Sequence, residues 1–293
     1  METTQECSNK MLGYIIGFFT AIRVYNELNF FLIKRRNKGI AKILKGAEPF
    51  FKKKGKKAAL LIHGYTSSPK EFRELGNALA KKNITVYAPL LPGHGTSPER
   101  LAVTKYFQWI DTIEESIKML EQDYDEIYLV GNSFGGNLSI VCANKSKKIK
   151  GLVTLGTPIF FHREKINRYL VYPILKRIKL FQRKKYKKNL DKINKRRVAY
   201  NSLPLNSIVH MLKVIELSKK EVLKIKVPTL VMQTENDSVA REDSGTFIID
   251  NIKSKNKKLS IVPESYHVFI IDKHRKMANK EILNFIEAGK NKK

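Results

Sequence analysis

The chain is poor in cysteine, with only Cys7 and Cys142 in 293 residues. That excludes a disulfide scaffold and a cysteine-rich zinc centre, and no metal or other cofactor is expected. Acidic residues are scarce, 27 Asp and Glu against 56 Lys and Arg, for a formal charge of +29. Long apolar runs are also missing. The longest, residues 11–22, has twelve residues where a membrane-crossing helix needs about 20. Nor is there interleaving of aromatic with basic residues, or a Cys/His module. The positive charge alone therefore does not make a nucleic-acid-binding protein, and no nucleic acid is expected as a partner.

Hydrophobic residues at 42% and aromatics at 10% suffice for a packed core, which excludes disorder for most of the chain. The length suits one large α/β domain with an insertion, or two ordinary domains. The charge is uneven: net +9 over residues 1–57, +1 over 58–157, +16 over 158–226 and +3 over 227–293. Two basic blocks are thus attached to a nearly neutral remainder. Such blocks suit an anionic lipid surface, or reflect lysine-rich solvated faces and no partner at all.

The first block begins with an apolar arm. Residues 11–22 are apolar, Arg23 and Glu27 interrupt, residues 30–33 resume, and Lys34, Arg35, Arg36 and Lys38 follow. If 11–33 were one spanning helix, Arg23 and Glu27 would sit mid-bilayer at about 2.5–3.5 kcal/mol each. A cleaved signal fits poorly, since Glu2 and Glu6 precede the run and no small-residue cleavage site follows cleanly. The preferred expectation is a membrane-contacting helix with a polybasic flank on a cytoplasmic protein; the alternative is an amphipathic helix packed on the domain.

From residue 58 the pattern alternates. Short apolar runs at 58–62, 84–88, 127–130, 151–155, 229–233 and 258–262 predict strands, and helical spacing marks 70–82, 106–120, a stretch ending near 143, and 273–288. Such alternation predicts a mostly parallel sheet flanked by helices. The basic stretch 158–226 breaks it and is expected to be a helical cap inserted between the fourth and fifth runs. Its run 169–175 is a candidate for lining an apolar pocket.

Gly131-Asn132-Ser133-Phe134-Gly135 has the G-x-S-x-G form, after a predicted strand and before a predicted helix. A sharp turn there would hold Ser133 above the sheet's carboxyl edge. Gly131 and Gly135 would let strand and helix approach closely, and the helix N-terminus would favour developing negative charge. A serine needs a base and an acid, in the chain order Ser, acid, His. Asp237 follows the fifth run and His267 the sixth; Glu235 and Asp243 are rival acids. An oxyanion hole needs two backbone N–H groups, for which Phe134 and Tyr65 are the candidates. His63 reads as a loop-ordering residue, and His94 precedes the serine, which argues against it as base. His162 and His210 have no evident role.

Taken together, Leu60-Leu-Ile-His-Gly-Tyr-Thr-Ser-Ser-Pro69, Ala88-Pro-Leu-Leu-Pro-Gly-His-Gly-Thr-Ser-Pro98, the Ser133 motif through Gly136, Pro228-Thr-Leu-Val231 with Asp237, and Ser265-Tyr-His267 carry a resemblance. Residues 48–287 resemble the α/β-hydrolase superfamily, close to bacterial carboxylesterases and monoacylglycerol lipases. Tyr266 departs from the pattern, in which glycine commonly precedes the histidine. The resemblance implies an α/β-hydrolase core over 48–157 and 227–293, and cleavage of a small-molecule or lipid ester through an acyl-enzyme on Ser133. It says little about the arm 1–47 or the cap 158–226. Peptidase, thioesterase and acyltransferase activities of the same fold, and a non-catalytic lipid- or partner-binding role, remain the alternatives. The sequence leaves the oligomeric state open.

Overall fold

The computed structural model describes residues 4–37, 39, 41–162, 174, 175, 178–184, 196–235 and 237–289. Its strands, in chain order, are β1 (Phe50–Lys52), β2 (Lys57–Ile62), β3 (Ile84–Ala88), β4 (Glu126–Asn132), β5 (Ile149–Leu155), β6 (Phe181–Arg183), β7 (Ser202–Pro204), β8 (Thr229–Thr234) and β9 (Lys257–Val262). Its α-helices are α1 (Thr4–Arg36), α2 (Arg73–Lys81), α3 (Pro98–Val103), α4 (Tyr106–Asp123), α5 (Phe134–Cys142), α6 (Leu205–Glu221), α7 (Asp243–Asn251) and α8 (Arg275–Ala288).

One sheet runs in the order β1-β3-β2-β4-β5-β8-β9, parallel throughout except for β1, which pairs antiparallel with β3. Every residue of β2 and β8 is buried, as strands covered on both faces must be. Side chains alternate between two cores. Ala58, Leu60 and Ile62 pack with Trp109, Ile113 and Ile117 of α4 and with Leu138 of α5. Ala59 and Leu61 pack with Leu75 and Leu79 of α2 and with Ala278 and Ile282 of α8. Each such large side chain contributes about 1.5–3 kcal/mol of burial. At the sheet's edge, Lys257 and Lys258 are exposed on β9, a charge placement that discourages edge-to-edge pairing.

The six expected strands are present: 84–88 has the expected bounds, and the other five are longer by one to three residues. The edge strand β1 lies outside the expectation, because a three-residue run before lysines carries no readable period. The region expected as a helical cap is described only in part. Its described residues hold α6, but also the antiparallel pair β6–β7. Tyr200 ties this region to the core by donating from its hydroxyl to the Gly93 carbonyl at 2.8 Å, and Asn137 Nδ2 of α5 donates to Ser218 Oγ of α6 at 2.9 Å. Of the run 169–175, residues 169–173 lie outside the described residues, and Ile174 is exposed.

The arm forms a single helix, α1, about 50 Å long at 1.5 Å per residue. Met11, Tyr14, Ile15, Phe18 and Phe19 are all exposed, so this half is not packed on the domain. Only the second half approaches the body, where Asn26 and Phe30 share a cleft with Ala102 and His210. Among the described residues no helix is long and apolar enough to cross a membrane.

Candidate active site

The carboxyl ends of the parallel strands bring the singled-out residues together. β4 ends at Asn132, and Ser133 takes φ 52° and ψ −121° before α5 begins at Phe134. Left-handed φ on a non-glycine residue is strained backbone, held here by packing on all sides. The Ser133 N–H donates to Leu155 O of β5 at 2.7 Å. A side chain at Gly135 would run into the Ile62 carbonyl, and one at Gly131 into the Gly135 carbonyl. Both glycines thus let β2, β4 and α5 close on one another, which fixes the turn that lifts the serine.

His267, in the loop after β9, places Nε2 2.7 Å from Ser133 Oγ and Nδ1 2.8 Å from Asp237 Oδ2. Asp237 follows β8. Its Oδ1 accepts the N–H groups of Val239 (2.8 Å) and Ala240 (2.9 Å), and its Oδ2 also accepts from Gln233 Nε2 at 3.2 Å. The buried carboxylate is therefore locked in orientation by its own loop. The rival acids are elsewhere: Glu235 is exposed, and Asp243 pairs with Arg241 at the surface. His274 stands at the start of α8, where its N–H donates to Asp272 Oδ1 at 2.7 Å.

Two residues complete this arrangement without a sequence signal. His162 Nε2 lies 2.9 Å from the Asp237 carbonyl oxygen, bracing the acid's loop from the other side. Gly156 follows β5 with φ +53°, and a Cβ there would stand 3.4 Å from Asp237 Oδ2 and 3.1 Å from His267 O. The left-handed φ favours glycine there, and a Cβ would press on the His267 carbonyl beneath the acid and the imidazole.

The loop after β2 closes the site from the opposite side. A Cβ on Gly64 would lie 3.4 Å from Ser133 Cβ, and Tyr65 and Phe134 line the same cavity as Ser133. Glu71, missed in the sequence, organises this loop. Its buried carboxylate accepts the Gly64 N–H at 2.8 Å, Asn132 Nδ2 at 3.0 Å and the Ser67 hydroxyl at 2.5 Å. His63 orders the loop as expected: its Nε2 accepts the Leu91 N–H at 3.1 Å, and burial lowers its pKa. His94 is buried against the rings of His63, Tyr65 and Trp109, and burial holds it neutral. His210 stacks on Tyr106, away from the serine.

Residues 53–274 match the profile of the family described as Serine aminopeptidase, S33. The chain belongs to that family. Two curated relatives are each 28% identical to this chain. The thermostable monoacylglycerol lipase of Bacillus sp. (strain H-257) aligns over 83% of this chain and 95% of its own length. The carboxylesterase of Bacillus subtilis (strain 168) aligns over 82% and 96%. Among solved structures, one from work on the metagenome-derived lipolytic enzymes LipS and LipT superposes with TM-score 0.78 at 24% identity, over 84% of this chain and all of that one. The Paleococcus ferrophilus monoacylglycerol lipase superposes with TM-score 0.69 at 21% identity, over 83% and 99%. These two likenesses establish the α/β-hydrolase fold of this family member.

The cavity at the serine encloses about 920 Å³, room for a substrate larger than a short acyl ester. Phe161, Ile208, Met211 and Val239 give it an apolar wall, and Arg183, Lys184 and Arg197 a cationic one. Among the described residues no cluster of His, Cys, Asp or Glu could hold a metal ion. Cys142 is buried, its thiol pushed up to about 12 by that burial, and it takes no part in the site.

Proposed function

We propose that the chain is a carboxylic ester hydrolase acting through an acyl-enzyme on Ser133, with His267 as base and Asp237 as its orienting acid. The observation that carries this is the unbroken line of hydrogen bonds from Ser133 Oγ through the imidazole to the Asp237 carboxylate, at 2.7 and 2.8 Å. As the Ser133 oxygen bonds to the carbonyl carbon, His267 Nε2 takes the hydroxyl proton and Asp237 stabilises the resulting imidazolium. The carbonyl electrons collect on an oxygen held by the N–H groups of Tyr65 and Phe134, the latter at the positive end of α5. His267 then hands its proton to the departing alcohol. Water, deprotonated by the same nitrogen, releases the carboxylic acid and restores Ser133.

The relatives' names, a monoacylglycerol lipase and a carboxylesterase, support an ester as substrate. The apolar wall suits an acyl chain. A fluorophosphonate probe should label Ser133, and a p-nitrophenyl acyl ester should be turned over. Absence of both would overturn the reading.

The arm fits a lipid substrate. In α1 the exposed Met11, Tyr14, Ile15, Phe18 and Phe19 precede Lys34, Arg35 and Arg36 in the last turn. An apolar segment too short to span, followed by cations, enters one leaflet and is held by anionic headgroups. The helix thus keeps the esterase at an anionic membrane surface. Co-sedimentation with anionic but not zwitterionic vesicles tests this.

A further inference from the structure

The cap region touches the loop that carries one of the oxyanion donors. That loop is a tight turn: the Ser67 N–H donates to Gly64 O at 3.1 Å, with Tyr65 and Thr66 in the middle. Thr66 takes φ 62°, a left-handed value that a β-branched residue adopts only when its surroundings hold it there. Glycine or asparagine would suit the position, so the turn's own sequence does not favour this conformation.

The groups that hold the turn divide by side. Glu71, from the core, takes the two ends, accepting the Gly64 N–H and the Ser67 hydroxyl. The middle is held from the cap region. The Tyr200 N–H, just before β7, donates to Thr66 O at 2.9 Å. Lys184, just after β6, donates to Thr66 Oγ1, which itself donates to Tyr65 O at 2.6 Å. The Tyr65 hydroxyl meets Ser207 Oγ on the first turn of α6. Ser207 is fully buried and gives its own hydrogen to Pro204 O at 2.9 Å, so Tyr65 is the donor in that pair. The Tyr65 ring packs edge-on against His94, Trp109 and Phe134, so ring and hydroxyl together fix where the backbone of residue 65 sits.

We infer that the cap region positions the oxyanion hole. The bond from Tyr65 to Ser207, with the Tyr200 and Lys184 contacts to Thr66, holds the Tyr65 N–H on the point where the carbonyl oxygen gains charge. Ser207 and Tyr200 are positioning residues: they act on the reaction through the turn, without touching substrate. The inference rests on the ester-hydrolase reading. A donor acts through preorganisation, and a misplacement of about 1 Å can cost about 10²-fold in rate. A cap that only walled the pocket would need no bond to residues 65 and 66, whereas this one makes three.

Tyr65→Phe tests this, because it removes the hydroxyl and keeps the ring and the backbone N–H. Ser207→Ala removes the other half of the same bond. On p-nitrophenyl octanoate each should lower kcat by roughly tenfold with KM held within about twofold. Each should weaken a trifluoromethyl ketone inhibitor by a similar factor, since its adduct on Ser133 puts an oxyanion in the hole. The double variant should lose no more than either single one, because both break one bond. Melting curves show whether each variant is folded, and if Ser207→Ala is not, Tyr65→Phe decides alone. Unchanged kcat and inhibition, losses that multiply in the double variant, or a rise in KM alone overturns the inference. Hydrogen exchange in the peptide spanning residues 64–67 is read without any turnover. It should quicken in the variants while α5 keeps its protection, and equal exchange overturns the hold of the cap on the turn. If the unaltered protein cleaves no ester, the hydrolase reading falls, and exchange still decides whether the cap holds the turn.

Discussion

His267 Nε2 lies 2.7 Å from Ser133 Oγ although 134 positions separate the two residues in the chain. The β4–α5 turn fixes the serine and the β9–α8 loop the imidazole, so their meeting depends on the order of strands in the sheet. Parallel strands deliver their following loops to one edge, which is why residues distant in sequence converge there.

The catalytic reading predicts the effect of breaking that contact. Ser133→Ala or His267→Ala should lower kcat on a p-nitrophenyl ester by roughly 10⁴-fold or more, with the residual rate coming from binding and the oxyanion donors. Asp237→Asn should come close to the same loss, because the amide reverses the donor and acceptor roles toward His267 Nδ1. Steady-state kinetics, with melting curves showing that the variants stay folded, check all three.

Glu71 provides a second prediction. Truncation to Ala leaves the donors on Gly64, Ser67 and Asn132 without their shared acceptor, at a cost of about 1–3 kcal/mol in stability for the buried groups. Because Gly64 precedes Tyr65, the oxyanion donor should also drift, and kcat should fall by roughly 10–100-fold with little change in KM. Glu71→Gln keeps one acceptor oxygen and should fall between the wild type and Glu71→Ala. A variant that melts lower while kcat holds would limit Glu71 to a structural role.

The contrast between Glu71 and Ser133 also shows what could be read from the sequence. The serine's turn is local: its glycines, strand and helix are consecutive, so the motif and its context stand within a dozen residues. Asp237 and His267 were legible through chain order, each just past an apolar run. Glu71 acts through Asn132, a contact 61 positions away, and His162 through a carbonyl 75 positions away. Nothing near either residue advertises those contacts. The β6–β7 pair was hidden for another reason: three-residue strands among lysines and arginines show neither a period of two nor a buried run.

For α1, the prediction is carried by its exposed apolar side chains. Phe18→Asp with Phe19→Asp puts two charges where the helix would enter lipid, at a cost of a few kcal/mol. Co-sedimentation with anionic vesicles should fall by at least about tenfold. Turnover of a soluble ester by the same variant serves as the folding control. Raising the salt concentration should weaken wild-type binding as well, since Lys34, Arg35 and Arg36 act through screened attraction.

Lys184 makes a pH prediction whose sign follows from its lowered pKa. The group titrates near 7 in the folded chain, against 10.5 for an ordinary lysine. Between those values the unfolded chain binds a proton that the folded chain does not, so this residue's contribution to stability rises with pH through that window and its penalty is full below about 7. The groups that set this are burial and the like charge of Arg197, with Glu71 opposing. Lys184→Met should therefore raise the melting temperature at pH 6.5, and the gain should shrink as the pH approaches 10.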